Sequence, residues 1–526
     1  MSTTLVLNGS ELDLPGFVGV VRHARPVALG AEVEDRVLAS RRALEAKLAR
    51  GELIYGVSTG FGANVRYAIG SAHQAELQTN VLRALCCGTG PELSEEVVRG
   101  AILLRVNALA KGYSAVRPAV LDCLIGMLNA GITPIVPRHG SVGASGDLVP
   151  SAYIASALSG AGAVRVKGAR TEAEAALAAA GLAPVPLAAK EGLALVNGTT
   201  VMTSLAALAL DEFAYLTTLL IGAVAMSTEV LRATGASFTE AIQRLKNHPG
   251  QIEVARRLRA YTAGSSLIFD LDCLREALRG EAQERHGAGR ELECAIQTPY
   301  SLRCAPQGLG PALDSLAWAG AVVAREMNSV NDNPLVDPEA DAVYHTGNFY
   351  GGHVARAMDG LKLDIANAAN WAHALMAMLM DPRFSNGLPA SLAAEPGLHS
   401  GFKGMQLSQT SLVCLCRQLA APSAVHTLPT EQYNQDIVSL GLHAASAALD
   451  MSEHLRDVLA MLLLALCQAA DLRGVGRNAE RLGAGSAAVY RAVRAQIPYV
   501  AADRYMGEEI AALARSIAAR GITLPA

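Results

Sequence analysis

Apolar residues recur at three- and four-residue spacing along most of the 526-residue chain, a period that predicts packed helices rather than strands. The pattern marks helices over residues 33–50, 95–110, 120–129, 201–229, 310–328, 353–380 and 438–472. Several of these run to more than twice the mean length of a globular helix, which predicts a bundle of long helices. Two further helical stretches, 489–494 and 507–520, follow a Gly-rich break at 472–486. Loops rich in Gly, Asn, Ser and Pro lie at 55–64, 138–150, 331–337, 346–352 and 384–389. Rigid helices carrying such loops are where chemistry concentrates. A charged stretch at 279–293 reads as a solvated surface excursion, and no repeat of fixed period is present. The expected organisation is mainly α. An N-terminal domain (1–205) carries the first two of these loops, a central long-helix bundle covers 206–475, and a helical segment (476–526) closes the chain.

Hydrophobic residues make up 51 % of the sequence but aromatic ones only 4 %, so the interior is built from Ala, Leu and Val, as suits helices. Lys and Arg number 44 against 48 Asp and Glu. That balance offers no electrostatic footprint for nucleic acid or an anionic membrane surface. Nine cysteines, with Cys86 beside Cys87 and Cys414 one residue from Cys416, match neither a redox pair nor a zinc spacing, and predict a reduced, cytoplasmic protein without a metal. Glu11 and Asp13 stand where a secretory leader would be basic and then apolar. Of the longest apolar stretches, 201–230 is interrupted by Asp211 and Glu212 and 458–470 is short, so neither is expected to span a bilayer.

The loop His139-Gly140-Ser141-Val142-Gly143-Ala144-Ser145-Gly146-Asp147 lacks the lysine of a phosphate-binding loop and the G-x-G-x-x-G spacing, which disfavours nucleotide binding. Taken alone it reads as a turn with Asp147 capping the next helix. Ala144-Ser145-Gly146 has a second, chemical reading. If the turn presses the Gly146 amide nitrogen onto the Ala144 carbonyl, ring closure and loss of water from Ser145 create a methylidene-imidazolone, an electrophile with an exposed exocyclic methylene. Glycine suits the third position because its nitrogen approaches without a Cβ clash.

Eight motifs then occur in one order. They are Tyr55-Gly56-Val57-Ser58-Thr59-Gly60-Phe61-Gly62, residues 140–148, Leu195-Val196-Asn197-Gly198-Thr199, residues 297–303, residues 328–335, Gly347-Asn348-Phe349, residues 384–389, and Glu431-Gln432-Tyr433-Asn434-Gln435-Asp436. In these the chain resembles the aromatic amino acid ammonia-lyase and aminomutase family, and among its members the phenylalanine ammonia-lyases most. The resemblance implies an ammonia-lyase-like superhelical fold. It also implies that Ala144, Ser145 and Gly146 form 4-methylidene-imidazol-5-one (MIO) autocatalytically, with no metal and no diffusible cofactor.

The implied reaction removes ammonia and a β-proton from an L-amino acid to give an arylacrylate. Ammonia leaves poorly, so the electrophile captures the amine or the ring; the β-proton is barely acidic, so a base is needed. By resemblance Tyr55 is that base, and its pKa of about 10 must fall for the phenolate to be populated, through positive helix ends or a nearby arginine. Arg303 takes the substrate carboxylate in a planar fork. Asn197, Tyr300, Gln297 and Gln435 serve as hydrogen-bond partners of the prosthetic group or substrate, Glu431 lies near the amine, and Phe349 bears on the prosthetic group or the ring. Each of these, standing alone, has a commonplace reading as a turn, packing, surface or capping residue.

Residues 77–86 match the segment lining the ring pocket, with Ala84 and Leu85 at the selectivity pair. Relatives acting on histidine or tyrosine carry a His in this pair; its absence favours an apolar ring, and Ala84 in place of a bulky residue implies a roomier pocket. The expected substrate is L-phenylalanine or a ring-substituted analogue. A 2,3-aminomutase, a tyrosine or histidine ammonia-lyase, and an inactive helical scaffold remain open as alternatives. The resemblance further implies a homotetramer whose active sites combine loops of three subunits.

Overall fold

The computed structural model describes residues 3–283, 296–476 and 478–525. Among these residues are nineteen α-helices and four small sheets, the mainly α fold that the apolar period predicts. The long helices fall where expected: Val33–Ala49, Glu95–Leu109, Pro118–Ala130, Thr200–Val230, Ala305–Met327, Gly352–Met380 and Gly441–Leu472. After the Gly-rich break come Ala484–Arg494 and Gly507–Ala518. The pattern passes over shorter helices, among them Gln74–Leu85, Leu148–Leu158, Pro249–Thr262 and Lys403–Leu419. The 279–293 stretch is only partly described: residues 279–283 end the helix Leu271–Gln283, and 284–293 lie outside the described residues.

Contacts divide the chain into two compact units, each made of three stretches of sequence. The first comprises residues 1–211, 319–360 and 422–449. All four sheets belong to it. Ile132–Pro134 pairs antiparallel with Ala163–Val166, which turns through Lys167-Gly168, both at positive φ, into Ala169–Glu172. That two-residue turn matches the twist of the strands it joins. Glu95–Leu109 starts at Ser94, whose hydroxyl accepts the Val97 N–H at 3.4 Å, and from Val97 onward every residue but Arg99 is buried.

The second unit comprises residues 212–318, 361–421 and 450–526. Here helices pack through aliphatic faces stitched by side chain to backbone bonds: Gln409 Nε2 donates to the Val458 carbonyl at 3.0 Å and Trp371 Nε1 to that of Ser301 at 2.9 Å. Glu212, 1 % exposed, has both oxygens engaged, by Arg456 and Arg520 at 2.8 Å each, so its burial leaves no bare charge. Thr200–Val230 has the length and composition to cross a bilayer, yet 78 % of its most apolar window is buried in the fold.

Candidate active site

A cavity of about 990 Å³ opens in the first unit, and every lining residue comes from that unit's three stretches. Tyr55 enters it from a loop pinned on either side, because Ile54 and Val57 are buried with Leu44 and Val336. The Ser58 hydroxyl donates to the Glu52 carbonyl and accepts the Ile54 N–H, at 2.9 and 2.8 Å, tying the loop back on itself. Its partners then aim Tyr55: the Gly62 N–H donates to the phenol oxygen at 2.8 Å, and the Tyr55 N–H donates to His345 Nε2 at 3.2 Å.

Opposite stands the turn built from residues 143–146, closed by a bridge between Gly143 and Gly146. Ser145 sits at φ +50° and Gly146 at +77°, where a Cβ on Gly146 would strike the Gly198 backbone. A non-glycine residue held left-handed is strain retained by its surroundings. Those surroundings are the Gly198 N–H, which donates to the Ser145 carbonyl at 3.0 Å, and the Gly198 carbonyl, which accepts the Asp147 N–H at 2.7 Å. A tight left-handed turn with no room for a side chain at Gly146 fits closure of its nitrogen on the Ala144 carbonyl.

Asp147 precedes the helix Leu148–Leu158 as expected but does not cap it. Its carboxylate accepts the Met202 N–H at 2.8 Å, in the first turn of Thr200–Val230, and the Ser141 hydroxyl at 3.4 Å. Burial pushes this carboxyl up to about 7, against the pull of that N–H and of Arg105. Arg105 in turn is pushed down to about 10 by burial, with Asp332 and Asp147 opposing.

Glu431 closes the third side. It begins a run of three left-handed residues, Glu431, Gln432 and Tyr433 at φ +48°, +54° and +64°, held by the Thr430 N–H to the Gln435 carbonyl at 2.9 Å. This run seats the Glu431 carboxylate against Gly62, at a spot that a Cβ there would fill. The expectation that the Tyr55 pKa falls is corrected here. Burial pushes the phenol up, the Glu431 carboxylate adds to that, and the Gly62 N–H alone opposes. No lysine or arginine lines the cavity among the described residues, so the cation that would lower it is not part of this wall.

A sequence model for the aromatic amino acid lyases matches residues 12–495. The chain belongs to the aromatic amino acid lyase family. It is 40 % identical to a histidine ammonia-lyase of Sorangium cellulosum, over 97 % of this chain and 97 % of that one. To a tyrosine ammonia-lyase of Cupriavidus metallidurans it is 39 % identical, over 97 % and 95 %. Its structure is similar to the phenylalanine aminomutase of Pantoea agglomerans with a TM-score of 0.93 and 35 % identity, covering 98 % of this chain and 99 % of the other. Members of the family depend on MIO.

Of the residues expected in this lyase's site, Tyr55, Leu85, Ala144, Ser145, Asn197, Phe349, Glu431 and Gln435 line the cavity, and Gly146 underlies the turn. Ala84 does not line it: it is exposed on Gln74–Leu85, and Val81, one helical turn before Leu85, faces the cavity instead. Gln297, Tyr300 and Arg303 belong to the second unit and are not in the wall. Tyr300 is 69 % exposed with the Arg303 guanidinium 4.4 Å from its ring centre, and Arg303 Nε is buried without a partner. Sequence reasoning missed His345, although it stands two residues before Gly347-Asn348-Phe349. It also missed Lys190, a charge just ahead of a buried apolar helix, Glu191–Val196.

Proposed function

We propose that this lyase removes ammonia from an aromatic L-amino acid with an apolar ring, L-phenylalanine or a ring-substituted analogue, to give the trans-arylacrylate. The reading rests on one observation above all: Ser145 in its strained turn, Tyr55 and Glu431 face one cavity whose wall at Val81, Leu85, Leu148, Val149 and Leu193 is aliphatic. Ala144-Ser145-Gly146 would hold the MIO group, whose chemistry is to accept the amine and make it leave. Tyr55 then takes the β-proton, and Glu431 meets the amine. An aliphatic wall near Leu85 rejects a ring that needs a hydrogen bond, because such a ring would lose its water there without a replacement.

The substrate carboxylate needs a cation that this wall lacks. We assign that role to Arg303 of a neighbouring copy in a homotetramer, with Tyr300 and Gln297 arriving on the same segment. Its partnerless buried Nε and the exposed Tyr300 beside it support the assignment. A second reading, a histidine or tyrosine substrate, is favoured by the names of the relatives; a third, amine return as in a mutase, by the similar aminomutase structure.

Ultraviolet absorbance over time with L-phenylalanine, a bulky ring-substituted phenylalanine, L-tyrosine and L-histidine separates these readings. Growth with the first two is expected. Growth with tyrosine or histidine alone overturns the ring assignment, and β-amino acid without arylacrylate overturns the lyase in favour of the mutase.

A further inference from the structure

Behind the turn, and outside the roles above, lies a cluster of buried charge. Lys190 is 0 % exposed and Asp332 1 %, and they pair at 2.5 Å. Arg105, 2 % exposed, donates from Nη1 to the Ala194 carbonyl at 3.2 Å and to Asn331 at 3.5 Å, and from Nη2 to the Thr200 hydroxyl at 3.4 Å. Burying such charges costs more than their attraction returns unless the geometry is good, and apolar residues of like volume often stabilise as well or better. A cluster of this kind beside a reactive turn is therefore a candidate for function rather than for stability.

Its contacts say which function. Asp332 Oδ1 accepts the Asn333 N–H at 2.6 Å and the Asn197 side-chain amide at 3.4 Å, and that amide also donates to the Asn333 carbonyl at 3.0 Å. Asn197 leads directly into Gly198, whose two backbone bonds grip the turn at Ser145 and Asp147, one on each side of Gly146. On its far face Gly198 has no free space, since a Cβ there would meet Asn331 and Arg105.

We propose that Lys190 and Asp332 are positioning residues for ring closure: they hold Asn197 so that Gly198 presses the Ala144-Ser145-Gly146 turn into the geometry in which it cyclises. In that step the Gly146 nitrogen bonds to the Ala144 carbonyl carbon. The Ala144 oxygen leaves as water with the Gly146 and Ser145 amide hydrogens, and the Ser145 hydroxyl leaves as a second water with its α-hydrogen. Two waters depart and nothing is oxidised or reduced. The inference rests on the reading that this turn forms MIO.

Intact mass of the purified full-length protein tests both and tells them apart. The parent is expected to weigh two waters less than its sequence. If it does not, the MIO reading itself fails. The double variant K190M/D332L replaces the pair by apolar side chains and keeps the interior filled. It is expected to unfold cooperatively with the parent's circular dichroism, yet to carry a large fraction of unmodified chain, with turnover lowered in proportion. D332N, which keeps the shape but loses the charge, is expected to do the same. A complete two-water deficit in the double variant overturns the proposal. Failure of K190M/D332L to fold also overturns it, because the pair would then serve the fold.

Discussion

The two sides of the cavity are built on opposite principles. Behind Ser145 the wall is dry: Arg105, Asp147, Lys190, Asn197 and Asp332 are all at most 2 % exposed and tied to one another through charge and hydrogen bonds. Across from it, the segments carrying Tyr55 and Glu431 meet solvent, with Leu53 70 %, Tyr433 78 % and Ile437 60 % exposed. On the proposed reading, the turn that would form the electrophile sits where nothing moves without breaking buried polar contacts. The groups proposed to handle protons sit on loops whose outer apolar side chains are left for another surface to cover. On that reading, rigidity is spent on the electrophile and adjustability is kept for the base.

The largest expected effect breaks the dry side. Ser145→Ala removes the only hydroxyl that ring closure can expel, so turnover falls by roughly 10⁴-fold or more and the mass deficit vanishes. Thermal unfolding changes little, by about 1 kcal/mol or less, because the substituted side chain lines the cavity and the backbone bonds from Gly198 that hold the turn stay in place. Stopped-assay product measurement with intact mass on the same sample checks this. Retained turnover in that variant ends the assignment of Ser145.

How much of this was legible in the chain depends on what held each part. The long helices follow from apolar spacing because their own side chains bury them, as in Gly441–Leu472. Four of the five unit boundaries do not: 211/212, 318/319, 360/361 and 449/450 fall inside continuous helices, and only 421/422, at Pro422, lies between elements. Tyr55, Asn197 and Ser145 were picked out by the family motifs they stand in, since each taken alone reads as a commonplace loop or turn residue. Lys190 and Asp332 were not, since a lysine next to an apolar run looks in sequence like a solvated end. The rise of the Tyr55 pKa was hidden as well: it comes first from burial, which only the folded loop creates, and then from Glu431, which lies 376 positions away (431 − 55) and reaches Gly62 only through a left-handed turn.

A smaller effect probes the exposed side. Tyr55→Phe keeps the ring and its packing but removes the oxygen that accepts the Gly62 N–H. Loss of a positioned base lowers kcat by about 10²- to 10⁴-fold, while the two-water deficit remains complete, since Tyr55 has no part in ring closure. Measuring kcat and mass together sharpens the division between the two sides. A Tyr55→Phe protein that fails to cyclise would show that they are not independent.

The smallest effect concerns pH. A tyrosine base acts as its phenolate, and burial with the Glu431 carboxylate holds the Tyr55 pKa above its ordinary value. The rate therefore rises with pH on the alkaline side, because the active form is the deprotonated one and its population grows as pH approaches the raised pKa. Glu431→Gln removes a negative charge that disfavours a second one on the phenol, while burial, the larger cause, stays. The rising limb of kcat/KM should then move toward lower pH without disappearing, and the plateau should fall if Glu431 also meets the amine. The pH dependence of kcat/KM for the two proteins, at one ionic strength, decides it. An unmoved limb would mean that the carboxylate turns away from Tyr55 once substrate is bound; a limb displaced to higher pH would mean that Tyr55 is not the titrating base.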